Sequence, residues 1–293
     1  MEGNCMATKK AASAKKSKPT AAKKQTTTKV TTVTAASAAP KKPSERLSSK
    51  VASVQNKSLI STALIAEFIG TFILAAVALS IQGNAFFMGF ALVAIILAFG
   101  ALSGAHVNPL ITIGAWVTRK VSGKRALGYV AAQVLGGMLA LVVMTSYANI
   151  GGAPDAEAAM IGGQQTLFAV TPISGETDGV WHLFFAELIG AAIFAFAFAA
   201  ALRMKNEDQL PKALTVGLGL FVALVIAGGA AVFAQAYTVL NPALAVSLQA
   251  IEWPVKDIFS ILVYIVSPIL GGSLGFFLYD LLRGKQVVLE EKL

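Results

Sequence analysis

The distribution of charged residues is the feature that most constrains how this chain folds. Four long segments lack Asp, Glu, Lys and Arg: they lie between Glu67 and Arg119, between Arg125 and Asp155, between Lys212 and Glu252, and between Asp257 and Asp280. Each is longer than the ~20 residues that cross the hydrocarbon core of a bilayer as an α-helix. Only 13% of all residues are charged, against about 25% in an ordinary soluble domain. The pattern excludes a soluble globular protein and predicts an α-helical membrane protein.

Six apolar spans are predicted, and the positive residues orient them. The spans lie near 59–81, 85–102, 125–148, 181–202, 212–234 and 258–282. One side of the membrane then receives Arg119, Lys120, Lys124, Arg125, Arg203, Lys205, Lys212, Arg283, Lys285 and Lys292, and the other side receives only Lys256. Because positive residues concentrate on the cytoplasmic side, we expect a multi-pass protein of the cell membrane with both termini in the cytoplasm. The 149–180 connection is then extracellular.

Residues 1–57 differ from the rest of the chain. They contain 13 of the 24 Lys and Arg residues and no aromatic residue. Because such a segment buries too little apolar surface to offset the entropy of ordering, it is predicted to be a disordered cytoplasmic tail. Its charge favours membrane lipid headgroups, and no specific nucleic acid is expected as a partner. The membrane domain is predicted to cover 58–283, with a second cytoplasmic tail at 284–293.

Two segments between the spans are apolar yet interrupted. Ser103–Thr118 follows the second span and Gln235–Ala250 follows the fifth, and each contains an Asn-Pro pair. Asn is a favoured helix N-cap, and Pro suits the first helical position. Because each segment is too short after its Asn-Pro to cross a bilayer, each is predicted to be a re-entrant half-helix.

The two halves of the chain repeat each other. AEFIGTFILA at 66–75 matches AELIGAAIFA at 186–195, HVNPLI at 106–111 matches VLNPAL at 239–244, and YVAAQVLGG at 129–137 matches YIVSPILGG at 264–272. The matches indicate halves near 59–148 and 181–283, and an odd number of spans per half inverts the second copy. The predicted fold is therefore an all-α membrane protein with six transmembrane helices and two half-helices in an inverted repeat. Such repeats place the functional site near the bilayer midplane, where the broken helices meet.

The half-helices predict the chemistry of that site. Two half-helices that enter from opposite faces bring Asn108 and Asn241 together, with both positive dipole ends towards the centre. The side-chain amides then donate hydrogen bonds to a passing oxygen atom. This arrangement favours neutral molecules and opposes cations, including protons.

At these motifs the chain resembles the aquaporin and glycerol-facilitator family, the major intrinsic proteins. SGAHVNPLIT and the tripeptide Asn241-Pro242-Ala243 are similar to the family's two Asn-Pro-Ala regions, and the resemblance covers about 59–283. It implies an aquaporin-like homotetramer with one pore per subunit, passive passage of water or a small neutral solute such as glycerol, and no cofactor. The pore-centre residues that it implies are Asn108, Pro109, Leu110, Asn241, Pro242 and Ala243.

Three ionisable residues are assigned to the re-entrant loops. By the resemblance, Glu67 and Glu187 hold the loop backbone, and an intramembrane carboxylate is also expected to find a partner inside the bundle. A proton relay in a carrier is the alternative for the same two residues. His106 either supports the first loop or is a satisfied buried histidine without a role in transport.

The chain departs from the family at the narrow filter. Leu244 stands where the family usually has Arg, three residues after the second Asn. The other filter positions carry over to Met88, Thr238 and a fifth-span residue between Ile226 and Gly229. Because the Arg charge and its donors are lost, the filter is predicted to be mostly aliphatic. Such a ring either suits larger or less polar solutes or dewets and conducts poorly.

Glycines at matched positions predict close helix packing. Gly136 and Gly137 in the third span correspond to Gly271 and Gly272 in the sixth, and small residues let membrane helices approach closely.

Chemistry other than passive transport has little support. Cys5 is the single cysteine, and two histidines far apart do not suggest a metal site. No nucleophile–base pair or phosphate loop predicts an enzyme. The alternatives that stay open are a proton-coupled secondary transporter of a small solute and a non-conducting structural membrane protein with the same fold.

Overall fold

The computed structural model describes residues 43–151, 167–176, 178–205 and 208–290. The chain divides into two units, Met1–Leu47 and Ser48–Leu293, and apart from the first residues of α1 every feature below belongs to the second. Its helices, in chain order, are α1 (Pro43–Ser80), α2 (Ala85–Ser103), α3 (Pro109–Val117), α4 (Gly123–Ala148), α5 (Val180–Ala201), α6 (Gln209–Val232), α7 (Pro242–Ser247), α8 (Ile258–Ile261) and α9 (Ser267–Glu290). A 3-10 turn covers Asn149–Gly151, and a π-helical segment, Leu262–Val266, joins α8 to α9.

Six helical stretches among the described residues are long and apolar enough to cross a membrane. They are Ile60–Ser80, Ala85–Ser103, Gly123–Ala148, Val180–Ala201, Gln209–Val232 and Ile258–Gly284. The predicted all-α architecture with six spans is confirmed. The largest difference in a boundary is at the fifth span, which the charge of Lys212 places at 212 and which begins at Gln209. A helix tolerates both a proline and a charge in its first turn, and Pro211 and Lys212 occupy that turn.

The predicted tails differ from the structure where the two can be compared. Residues 1–42 lie outside the described part of the chain, whereas α1 already begins at Pro43. Residues 43–57, predicted as disordered, are therefore helical, and α9 likewise runs on to Glu290 through most of the predicted C-terminal tail. Proline is favoured at the first helical position, which agrees with the beginning of α1 at Pro43. Of the predicted 149–180 connection, residues 152–166 and 177 are outside the described residues.

Two short helices lie inside the bundle of spans. The half-helices α3 and α7 have 9 and 6 residues, which is far too few to cross a bilayer. α3 packs against α4, α5 and α9, α7 packs against α4, and the two half-helices contact each other. Most of their residues are buried, including both Asn-Pro pairs, so irregular backbone at this depth is enclosed by protein.

Matched glycines set the closest helix contacts of the two halves. A Cβ atom on Gly136 would lie 2.3 Å from the carbonyl oxygen of Phe68, and one on Gly271 would lie 2.1 Å from that of Leu188. Phe68 and Leu188 are related by the same offset of 120 as the first sequence match. The contact of α4 with α1 is therefore repeated by the contact of α9 with α5, and no side chain fits at either glycine.

The neighbouring glycines join one half to the other. A Cβ atom on Gly137 would lie 3.1 Å from the carbonyl oxygen of Ala243 in α7, and one on Gly272 would lie 2.8 Å from that of Leu110 in α3. Each half-helix therefore packs on a span of the opposite half. The two halves of the inverted repeat are therefore in contact at the half-helices.

Candidate functional site

Each half-helix begins at the asparagine of an Asn-Pro pair. Asn108 Oδ1 accepts a hydrogen bond from Leu110 N at 3.0 Å. Asn241 Oδ1 accepts from Ala243 N at 3.0 Å and from Leu244 N at 3.4 Å. The asparagines act as N-caps, with proline at the first helical position. This geometry commits the amide oxygens to the helices and turns the amide nitrogens away from them.

The two amide nitrogens tie the halves together. Asn108 Nδ2 donates to the carbonyl oxygen of Leu240 at 2.8 Å, and Asn241 Nδ2 donates to that of Val107 at 3.0 Å. An amide nitrogen carries two hydrogens, so one N–H of each group is left over. Both asparagines line the central cavity described below, and a molecule with an acceptor oxygen can bind these remaining donors.

Glu67 holds the backbone that leads into the first half-helix. Its carboxylate accepts hydrogen bonds from His106 N at 2.9 Å, Val107 N at 2.7 Å, Ser103 Oγ at 2.6 Å and Gln133 Nε2 at 2.7 Å. Val107 has a φ of 41°, a left-handed conformation that is a genuine outlier for a β-branched residue. Four donors on one buried carboxylate stabilise that turn, and the turn presents the Val107 carbonyl to the opposite half.

Glu187 does the same for the second half with fewer partners. Its carboxylate accepts from Val239 N at 2.5 Å and from Leu240 N at 3.0 Å, and Leu240 has a φ of 51°. The position that matches Gln133 in the repeat is Pro268, which has no side-chain donor. The second loop therefore depends on two backbone hydrogen bonds where the first has a polar network. The sequence match at Glu67 and Glu187 does not reveal this asymmetry.

His106 joins the first network on its other side. Its Nδ1 lies 3.1 Å from Thr112 Oγ1, and the ring contacts Tyr129 and Phe198 edge-on. Thr112 Oγ1 donates to the Asn108 carbonyl at 3.1 Å, so its single hydrogen is used and Nδ1 must be the donor to it. In the neutral imidazole Nε2 is then an acceptor. His106 both supports the loop and lines the central cavity.

Three cavities lie in series along the bundle. A vestibule of about 430 Å³ is lined by residues that include Gly104, Phe198 and Lys212. A second vestibule of about 480 Å³ includes Thr238 and Leu224 in its lining. Between them is a central cavity of about 10 Å³, close to the least volume that holds one water molecule. Leu224 lines both the second vestibule and the central cavity, so the two cavities adjoin at this residue.

The central cavity is apolar apart from three side chains. Asn108, Asn241 and His106 are its polar residues, and the others that line it are Leu74, Met88, Leu92, Val107, Phe194, Leu220, Leu224, Val239 and Leu244. No charged side chain is among these lining residues. The arrangement is a narrow aliphatic passage with hydrogen-bond donors at its middle, between two wide openings.

Comparison with known proteins identifies the family. The profile of the family described as Major intrinsic protein matches residues 55–279. The chain belongs to the major intrinsic protein family. It is 29% identical over 257 residues to an aquaporin of Methanothermobacter marburgensis, a match that covers 75% of this chain and 97% of the relative. It is 28% identical over 225 residues to a glycerol uptake facilitator-like protein of Lactiplantibacillus plantarum, covering 73% and 94% of the two chains.

A solved structure shows the same fold. The X-ray structure of the aquaglyceroporin from Plasmodium falciparum is similar to this chain with a TM-score of 0.57 and 22% identity, and it covers 78% of this chain and 99% of that one. The sequence-based assignment to the major intrinsic proteins and to an aquaporin-like fold is confirmed. Proteins of this family are channels rather than enzymes.

Only some of the predicted filter residues line the cavities. Met88 and Leu244 line the central cavity, and Thr238 lines the second vestibule. Ile226 is 47% exposed on the outside of α6, and neither it nor Gly229 lines any of the three cavities. From the predicted range, only Gly228 lines the second vestibule.

Leu224 is the fifth-span residue that sequence reasoning missed. It lines the central cavity together with Leu220. The predicted range is ambiguous because extra residues precede Asn241, and in the structure α6 ends at Val232 and a turn follows, so these residues do not keep helical spacing. The available signal was periodicity: Gly217, Leu220 and Leu224 recur at i, i+3 and i+7, which is the spacing of one buried helix face.

Proposed function

We propose that the protein is a passive channel for small uncharged solutes, in which an aliphatic constriction makes water permeation slow relative to solute permeation. The observation that carries the proposal is the aliphatic lining of the central cavity, in which Leu244 is 1% exposed beside Met88 and Leu224. Where the family usually has a charged guanidinium, this passage presents methyl groups. A channel for water and small solutes is the function that the family membership and the relatives support.

The exclusion of ions follows from the half-helices. Their N-termini, at Asn108 and Asn241, meet at the central cavity, and helix N-termini carry partial positive charge. The lining offers no charged or carboxylate group to a cation. Desolvating an ion in such a passage is costly, whereas a neutral molecule loses only its hydrogen bonds to water and regains some at the asparagines.

The alternative functions receive less support. A proton-coupled carrier needs Glu67 or Glu187 on the transport path, but both are fully buried, neither lines the three cavities, and both carboxylates hold loop N–H groups. A purely structural protein gives no reason for donors at the centre of a passage between two vestibules. Catalysis has no proposed residues, and no metal or cofactor is invoked.

The proposal also covers the orientation of the protein in the membrane and the surfaces that surround it. Lys120, Arg203 and Asp280 come from three separate parts of the chain and pair at one end of the bundle, which agrees with the prediction that both termini face the cytoplasm of a cell membrane. Many large apolar side chains on the outer faces are exposed, such as Leu127 at 75% and Val142 at 64%. Lipid and neighbouring copies, in the homotetramer that the resemblance implies, would cover them. The basic tail would contact anionic lipid rather than a specific nucleic acid.

The test is transport by the purified protein in liposomes. Stopped-flow light scattering compares osmotic water loss with glycerol entry for the wild type and for Leu244→Arg. We expect glycerol entry well above that of empty liposomes and slow water flux in the wild type. Leu244→Arg should reduce glycerol entry and spare or raise water flux. Water flux as fast as glycerol entry in the wild type would refute the solute preference, and flux of neither would refute the channel.

A further inference from the structure

Met88 brings a sulfur atom to the narrow part of the passage. It lines the central cavity of about 10 Å³ and is 4% exposed. Among the described residues that line the three cavities, no other contains sulfur. The rest of the central lining consists of hydrocarbon side chains, two amides and an imidazole. The thioether is therefore the group of this lining that a mild oxidant attacks most readily.

The backbone beside Met88 has no room to move. A Cβ atom on Gly89 would lie 2.8 Å from the carbonyl oxygen of Gly217 and 2.8 Å from the Cβ of Phe221. A Cβ atom on Gly217 would lie 2.6 Å from the carbonyl oxygen of Gly89. The spans α2 and α6 therefore touch through their backbones at the residue next to Met88. A change in the Met88 side chain must be accommodated in the cavity rather than by a shift of the helix.

Small hydroperoxides match the chemistry of this passage. Hydrogen peroxide is neutral and narrow, and like water it both donates and accepts hydrogen bonds. The remaining N–H groups of Asn108 and Asn241 can bind its oxygen atoms. None of the described residues around the central cavity is charged, so an ionic oxidant is not favoured there. The oxidant that fits the passage is thus a small hydroperoxide.

We propose that Met88 is an oxidation site for small hydroperoxides that enter the passage, and that the resulting sulfoxide slows transport. The inference rests on the proposed function, because the oxidant reaches the thioether as a solute of the channel. It goes beyond that function by assigning a covalent modification to this residue.

The reaction is a two-electron oxidation of sulfur. A lone pair of the thioether attacks one peroxide oxygen, the O–O bond breaks and an S–O bond forms. The hydrogen on the transferred oxygen passes to the departing oxygen, which leaves as water. One hydrogen peroxide is reduced for each methionine that is oxidised to its sulfoxide.

The sulfoxide changes both the size and the polarity of the side chain. The central cavity has about the least volume that holds one water molecule, so an added oxygen atom fills much of it. A sulfoxide oxygen is also an acceptor, in a cavity whose donors are the remaining N–H groups of Asn108 and Asn241. A passing solute then loses room and meets a competitor for the donors.

The first experiment maps oxidation in the purified wild type by peptide mass spectrometry. Met138 is the internal control, because it is 48% exposed on α4 and lines none of the three cavities. Hydrogen peroxide should oxidise both methionines, whereas tert-butyl hydroperoxide, which is too bulky for the passage, should oxidise Met138 and spare Met88. Absence of Met88 sulfoxide after peroxide, or equal oxidation of Met88 by the bulky reagent, would overturn the proposal. The mapping needs no variant that folds.

The second experiment measures glycerol entry into proteoliposomes, with each protein compared with its own untreated sample. Peroxide should slow entry roughly tenfold in the wild type and in Met138→Leu, because overpacking a close-packed site is costly. Met88→Leu, a swap that nearly conserves volume, should keep its untreated rate. Equal slowing in Met88→Leu, or unchanged entry in a wild type whose Met88 is oxidised, would overturn the effect on transport. Failure of the proposed function shows differently, as no glycerol entry in the untreated wild type.

Discussion

Gly136 gives a prediction whose size follows from one distance. In Gly136→Ala the new Cβ would lie 2.3 Å from the Phe68 carbonyl oxygen and 3.1 Å from Phe72 N. The obstacle is backbone, which cannot rotate away, so α1 and α4 must separate by roughly 1 Å to restore contact distances. Overpacking of this kind costs about 1–3 kcal/mol. For a chain of this size that is a fall in Tm of about 3–10 °C.

The assay is thermal unfolding of the detergent-purified protein, followed by fluorescence-detected size exclusion. Gly229→Ala is the control, because nothing lies within 4 Å of a Cβ there and the same substitution is made in a helix. Gly137→Ala, at 3.1 Å from the Ala243 carbonyl oxygen, should fall between the two. If Gly136→Ala unfolds at the same temperature as Gly229→Ala, the spans are not held by this contact and the reasoning is wrong.

Two more predictions concern carboxylates in different settings. Glu187→Gln leaves one loop N–H, such as that of Leu240, without a charged acceptor. The free energy of unfolding should fall by about 2 kcal/mol, which lowers both Tm and solute flux. If Tm and flux are unchanged, the loop keeps its turn without this carboxylate. At Asp257, hydrogen bonds from the Phe259 and Gly175 N–H groups hold the pKa of the carboxyl below its ordinary 3.8. Because the folded-state pKa is depressed, this contribution is present above that ordinary value and is lost as pH falls through the lowered one. Amide exchange at Gly175, measured at matched intrinsic rates, should therefore accelerate in acid, and Asp257→Asn should abolish that pH dependence.

The sequence predicts the parts of this protein that local chemistry dictates. Long apolar stretches with few charges predict spans, and the six predicted spans agree with the structure to within three residues at each end. The Asn-Pro pairs predict half-helices because an N-cap and a first-position proline act within one turn, and the structure has both caps, at Asn108 and Asn241. The repeat also matches Gly136 with Gly271 and Gly137 with Gly272, and in the structure the members of each pair lie against backbone carbonyls of matched helices.

The remaining features depend on contacts that the sequence does not display. The predicted fifth-span range, Ile226 to Gly229, leaves out Leu224, which lines the central cavity, because a turn after Val232 interrupts the helix before Asn241. The unequal support of the two glutamates depends on Gln133 in one half and Pro268 in the other, which the matched motifs conceal. The helical start at Pro43 went unpredicted because composition averages over a segment and misses a local helix signal.

The reciprocal asparagine bonds bear on the order in which the chain is made. Asn108 Nδ2 donates to the carbonyl of Leu240, 132 residues later in the chain. The Val107 carbonyl accepts from Asn241 Nδ2, which is 134 residues away. When the first half leaves the ribosome, its re-entrant loop has its own carboxylate but no second half to bond with. Contacts of such long sequence separation form late. The pore centre therefore cannot be completed before the second half is present, and a truncated first half would lack both of these hydrogen bonds.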